Sequence, residues 1–240
     1  MSQNVQPLNK SAHANLKIKP QANFAHVASQ HLAPVVVQEF ARAAAEFPVV
    51  FVKNSENDTF QPVALFGVKP GENLYTATAR WEGVYAPAAV THFPLSLVPE
   101  SKDSNKFMVV IATETSVVNE EEGNSLFDEN GEETEYLTRR KEGLGLYFEH
   151  AQMTKAFTKE LADKELLVGQ NIEIDINGEK IQINGIFHVD EKKLNELSDE
   201  EYLSLRKRGF LGPIYAHLNS MHQVHRLVQK KAAQATQAVQ

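Results

Sequence analysis

Apolar positions along the chain fall into runs whose spacing changes repeatedly, and each change predicts a change of element. After Pro34, "VVVQEFARAAAEF" sets Val36, Phe40, Ala43, Ala44 and Phe47 at helical spacing, and Pro48 ends the helix. "PVVFVKN" follows as a continuous apolar strand. "FQPVALFGV", "NLYTATARW" and "KFMVVIAT" repeat that character between turn signals such as Pro70-Gly71 and "PESKDSN". From about Glu133 to Leu167 the pattern becomes helical again, with Leu137, Leu144, Tyr147, Phe148, Phe157 and Leu161 on the apolar face. Gly143 and Gly145 weaken this stretch, which reads equally as one helix or as two with a break.

The sharpest local expectation is at "NIEIDINGEKIQINGIF". A two-residue type I′ turn at Asn177-Gly178 pairs Ile174 with Ile181 and Ile172 with Ile183, so one face of the ribbon carries only isoleucines and must be buried. Beyond it, Asp190 stands where a cap is wanted before "EKKLNEL". "SDEEYLSLRKRG" reads as a complete short helix, with Ser198 and Glu201 as a capping box, Arg206, Lys207 and Arg208 in the last turn and Gly209 as the stop. Ile214, Leu218, Met221, Val224 and Val228 then form the stripe of a final packed helix that opens near Pro213.

The 240 residues are 42% hydrophobic and 23% charged, which suits a folded chain rather than a disordered one. The fold class is α+β: a β-rich N-terminal lobe over about 16–113, an acidic loop over 114–135, and a C-terminal lobe of helices and a β-hairpin over about 136–230. These lobes belong to a single domain, 16–230, with flexible tails at 1–15 and 231–240. A formal net charge of −7 without long basic runs argues against nucleic acid as a partner. The chain has no cysteine, so disulfides, thiolate metal sites and cysteine nucleophiles are excluded. With no apolar leader at the N-terminus and no apolar run long enough for a membrane helix, a cytoplasmic location is expected, and surface association remains open.

The familiar signatures of nucleotide binding, hydrolysis and zinc chemistry are absent, and no catalytic residue is assigned. His217, His222 and His225 invite a metal reading, but on a helix His217 and His222 lie about 140° apart and only His222 and His225 share a face. No metal and no cofactor are expected. His217, in an apolar setting beside Tyr215, reads as a buried hydrogen-bonding residue. "FHVD", residues 187–190, contains a His-x-Asp pair, for which the capping role of Asp190 is the simpler account. Between Glu114 and Glu135 the chain carries nine acidic residues and no Lys or Arg. "DENGEE" within it lacks the glycine and glutamate positions of a calcium loop, and predicts a solvated turn at Asn130-Gly131. "RWEGVYAPAAVTHFPL" holds the only Trp. Trp81, Tyr85, His92 and Phe93 either anchor the core or line a ligand groove.

"EFPVVFVK", "PVALFGVKPGENLY", "RWEGVYAPAAVTHFPL", "EEEGNSLFDENGEETEYL" and "GIFHVDEKKLNELSDEEYLSLRKRGFLGPIYAHLNSM" stand in an order and spacing that resembles the bacterial SapC family from about residue 15 to 228. The resemblance implies association with a surface-layer or cell-envelope system and brings no catalytic residues with it. The expected function is an accessory or binding protein that recognises a peptide or protein partner. The alternative is an enzyme or enzyme subunit that modifies peptides or envelope components. Candidate ligand-binding residues are Trp81, Tyr85, Tyr215 and His217.

Overall fold

Residues 5–7, expected to lie in a tail, form a strand. β1 (Val5–Pro7) pairs antiparallel with β7 (Phe107–Ala112), which pairs on its other side with β6 (Leu95–Pro99). The partner for β1 lies about a hundred residues away, and backbone pairing needs no apolar pattern in the segment recruited. The computed structural model describes residues 4–20, 24–76, 80–101, 106–176 and 178–237. It is α+β and divides into two units, Met1–Ala22 with Ala88–Glu149, and Asn23–Pro87 with His150–Gln240.

In the first unit, β2 (Lys17–Ile18) lies between β8 (Val118–Asn119) and β9 (Asn124–Ser125) as a second small sheet. Gly123, at φ 117°, turns the chain from one neighbour of β2 to the other, where a Cβ would come within 2.5 Å of the Ile18 carbonyl oxygen. Ile18, Leu95, Ile111, Val118, Leu126, Phe127, Leu137 and Leu144 form the core. The acidic segment is therefore two-sided. All nine of its carboxylates are exposed, while its Val118, Leu126 and Phe127 are core residues. Its turn is ordered by Asp128, whose Oδ1 accepts from the amides of Asn130 and Glu132, with Gly131 at φ 74°.

The long helix does not break. α3 runs from Glu135 to Asp163, and the boundary between the units falls within it. At Gly143 the missing side chain makes room for His92, whose Cε1 would lie 3.2 Å from a Cβ there, so this glycine serves packing rather than interruption. The helix ends where Glu165 takes a left-handed conformation at φ 52° and Leu166 donates to the Leu161 carbonyl at 2.9 Å. The short helix α2 (Ala88–Thr91) precedes the loop that carries His92.

In the second unit an antiparallel sheet runs in the order β10-β11-β4-β5-β3, formed by β10 (Leu167–Ile176), β11 (Glu179–Val189), β4 (Val49–Lys53), β5 (Phe60–Leu65) and β3 (Leu32–Pro34). The β10–β11 hairpin has the expected register, Ile174 opposite Ile181 and Ile172 opposite Ile183. Ile174, Ile176, Ile181 and Ile183 are buried. Asn177, half of the expected turn, lies outside the described residues, and its neighbour Gly178 has φ 88°.

The helix expected over 36–47 is shorter. Val36 is extended, a 3-10 turn covers Val37–Glu39, and α1 is Phe40–Ala44. "NLYTATARW" is not a strand at residues 73–76, where Asn73 bonds its own turn through the Tyr75 amide and reaches the Val27 carbonyl. Residues 77–79 lie outside the described part.

Asp190 caps α4 (Glu191–Asn195), the Ser198/Glu201 box opens α5 (Asp199–Lys207), and Gly209 at φ 74° follows it. α6 (Leu211–Ser220) packs against α1, β4 and β11. A 3-10 turn at Met221–Gln223 then leads into α7 (Val224–Gln237), which packs against β10. This last helix continues past residue 230, where a tail was expected, because "KKAAQATQ" is made largely of good helix formers. Among the described residues no helix is long and apolar enough to cross a membrane.

Candidate functional site

Three places hold the chemistry, and each is built by a different part of the fold. The first is the loop after residue 80 in the second unit. Trp81 packs among Phe24, Phe66 and Tyr75, with ring centroids 5.6, 5.3 and 5.7 Å away, and its Nε1 donates to the Tyr85 carbonyl at 2.9 Å. Tyr85 in turn donates its hydroxyl to Glu39 and its amide to Glu46 Oε2 at 2.8 Å, while the Val84 amide reaches Glu46 Oε1 at 2.9 Å. Arg42 covers the Tyr85 ring at 4.9 Å.

Glu39 and Glu46 are only 3% and 7% exposed, and sequence reasoning passed over both. Their signal was present: each carboxylate immediately precedes a phenylalanine, in a stretch whose only other polar residues are Gln38 and Arg42. A buried carboxylate must be hydrogen-bonded to be tolerated: Glu46 gives both oxygens to the 82–85 loop, while Glu39 gives Oε1 to Tyr85 and takes the Val36 amide on Oε2 at 3.0 Å. Lys230 and Lys231 of α7 extend the arrangement. Lys230 lies 2.6 Å from Glu82 and over the Tyr75 ring, whose phenol burial pushes well above its usual range, and Lys231 pairs with Glu72 at 2.5 Å. The polar atoms here answer one another, which makes the cluster a clamp on a loop.

The second place is α6. His217 is 0% exposed. Its Nε2 accepts from the Val189 amide at 3.0 Å and its Nδ1 donates to the Val49 carbonyl at 2.6 Å, so the ring is the neutral Nδ1–H tautomer. Burial lowers its pKa to about 4, against the opposing pull of the Val49 hydrogen bond. Ser220 Oγ receives the Val49 amide at 2.9 Å, and α6 thereby binds both backbone groups of Val49. Tyr215 faces outward, 3.2 Å from the Tyr202 hydroxyl, a contact that together with partial burial raises its pKa. Trp81 and Tyr85 are thus joined directly, whereas Tyr215 and His217 have separate partners. His222 and His225 are exposed, and among the described residues no three metal-ligating side chains gather at one point.

The third place is a groove of about 700 Å³ in the first unit, which sequence reasoning did not anticipate apart from its acidic wall. Pro7 and Leu8, then Phe107, Met108 and Val109 of β7, and Phe127 supply apolar lining, and Lys10, Glu132, Glu133 and Lys141 supply charge. Phe107 is 37% exposed although its ring meets Phe148 at 4.1 Å. Glu133 and Lys141 neutralise each other at 2.7 Å.

The SapC family model matches residues 8–227. The chain belongs to the SapC family. No curated protein and no solved structure matches it. All of the groove lining except Pro7 lies inside the SapC match, as do the Glu39/Glu46 clamp and His217, while the last turns of α7 lie beyond it.

Proposed function

We propose that this SapC-family chain is a cytoplasmic accessory protein of a bacterial cell-envelope or surface system, and that it works by binding a peptide or protein partner. The observation that supports this reading is the groove of the first unit, which a half-exposed aromatic and residues of β7 line beside the acidic turn that carries Glu132 and Glu133. Rigid apolar surface edged by charge is what partner recognition uses. The Trp81 loop supports the reading less directly, because its side chains are occupied with one another.

Affinity purification from native cells tests it, with the wild type and a Phe107→Asp variant compared. A stoichiometric protein partner that the wild type retains and the variant loses is expected. Recovery of a bound small molecule or cofactor in place of a protein partner overturns the reading in favour of an enzyme.

A further inference from the structure

We infer that the groove takes an extended, basic segment of the partner, added as a strand along the open edge of β7. The inference rests on the partner-binding reading and says how the partner is held.

β7 is covered unequally on its two sides. β6 accompanies it along its whole length, from Leu95 opposite Ile111 to Pro99 opposite Phe107. β1 faces only Val110, Ile111 and Ala112, and the last bond on that side runs from the Leu8 amide to the Val109 carbonyl at 2.9 Å. There the N-terminal segment is turned away and fastened. The Asn9 amide is taken by His13 Nδ1 at 3.0 Å, Asn9 Oδ1 accepts from Ser11 at 2.8 Å, and the His13 amide donates to the Asn9 carbonyl at 2.9 Å. The pairing stops while β7 continues.

Alternation decides which groups are left facing the gap. Val109 and Thr113 bond toward the β1 side, whereas Lys106 and Ala112 bond toward the β6 side. By the period of two, the amide and carbonyl of Phe107 point toward the side that β1 has vacated. Those residues line the groove together with Leu8. An unpaired strand edge inside a concave, partly apolar surface is a template for strand addition, in which the backbone supplies affinity and alternate side chains supply selectivity.

Charge selects the guest. With Glu133 and Lys141 paired to each other, the wall keeps Glu132, and Asp128 and Glu129 stand beside it in the same ordered turn. None of these three has a cationic partner among the described residues. Within the lining Lys10 balances Glu132, and Asp128 and Glu129 beside it leave a net negative field that favours lysine or arginine at the guest's outward positions.

The test uses the full chain and capped synthetic peptides of about six residues, the usual length of a strand. One alternates valine with lysine, a second replaces lysine by glutamate, and a third is the valine-lysine peptide N-methylated at alternate residues. Binding is read by amide chemical shifts and by hydrogen exchange at Phe107. The valine-lysine peptide should bind and slow exchange at Phe107. The glutamate and N-methylated peptides, and the Glu129→Lys/Glu132→Lys variant with an unchanged melting temperature, should each weaken binding about tenfold or more. Equal binding of all three peptides, shifts outside the groove, or no binding overturns the inference. If the native partner is still recovered and is lost on Phe107→Asp, the partner-binding reading survives that failure. If the peptide binds and no partner is recovered, strand addition stands and the accessory role falls.

Discussion

Nδ1 of His217 lies 2.6 Å from the carbonyl oxygen of Val49, 168 positions earlier in the chain, and the opposite ring nitrogen receives the amide of Val189. One imidazole thus ties α6 to two adjacent strands, and it can do so only while neutral, with one nitrogen donating and the other accepting.

His217→Ala should therefore destabilise the protein by roughly 2–4 kcal/mol, since it opens a cavity beside Phe51, strips the Val189 amide of its acceptor and leaves the Val49 carbonyl only the longer bond from Ser220 Oγ. His222→Ala and His225→Ala should change stability by less than about 0.5 kcal/mol, because both side chains are exposed. Chemical denaturation of the three variants measures this. A silent His217→Ala would show that the bridge is dispensable.

The same ring makes stability depend on pH with a definite sign. Unfolded, the imidazole takes up a proton near its ordinary value of 6.5; folded, it resists until about pH 4. Between those values the unfolded state binds more protons, so stability rises with pH, is complete above about 6.5 and is lost as pH falls toward 4. The contribution is about 3 kcal/mol. His92, also lowered to about 4 by burial and by the neighbouring Arg140, acts in the same direction. Denaturation at about pH 7 and pH 4.5 should show a steeper loss in the wild type than in His217→Gln, and equal losses in the two proteins would refute the assignment.

The two glycines of α3 should respond differently to alanine. Nothing stands within 4 Å of a Cβ at Gly145, so Gly145→Ala should stabilise by about 0.5–1 kcal/mol through helix propensity alone. At Gly143 the new methyl meets His92 at 3.2 Å, and that gain should be reduced or reversed. Paired thermal melts distinguish the two positions, and an equal gain at both would mean that His92 yields freely.

Within the acidic segment, charge and core should separate cleanly. Replacing Glu120, Glu121 and Glu122 together by Gln should move stability by no more than about 0.5 kcal/mol, since all three are exposed and the Glu122–Lys19 pair is a surface one. Leu126→Ala, a few positions on, should cost about 2–5 kcal/mol. A large loss in the triple Gln variant would assign the carboxylates a structural role that their exposure does not suggest.

What the sequence disclosed was local. The register of Ile172–Ile183, the caps at Asp190 and Ser198, the stop at Gly209 and the burial of His217 all follow from residues within a few positions of one another. What it concealed depends on distant partners. β1 exists because β7 has an edge to offer, and Gly143 reads as a helix breaker until His92 is seen beside it. Glu46 looks like a solvent residue until the 82–85 loop arrives to take both its oxygens, and Glu39 until Tyr85 takes one of its own. The groove was illegible for the same reason: its floor and its walls come from three separated stretches of chain.

The interleaving of the two units bears on how the protein is made. β1 and β2 leave the ribosome before β7, Leu126, Leu137 and Leu144, on which their unit closes, and more than sixty residues of the other unit are synthesised in between. Those intervening residues must in turn wait for α6, near the end of the chain, before Val49 finds His217. At about 5–20 residues per second the nascent chain spends several seconds with both cores incomplete and apolar strands uncovered. Ordinary domain-by-domain maturation is closed to this topology, and a cut anywhere between residues 22 and 150 separates a core from one of its halves.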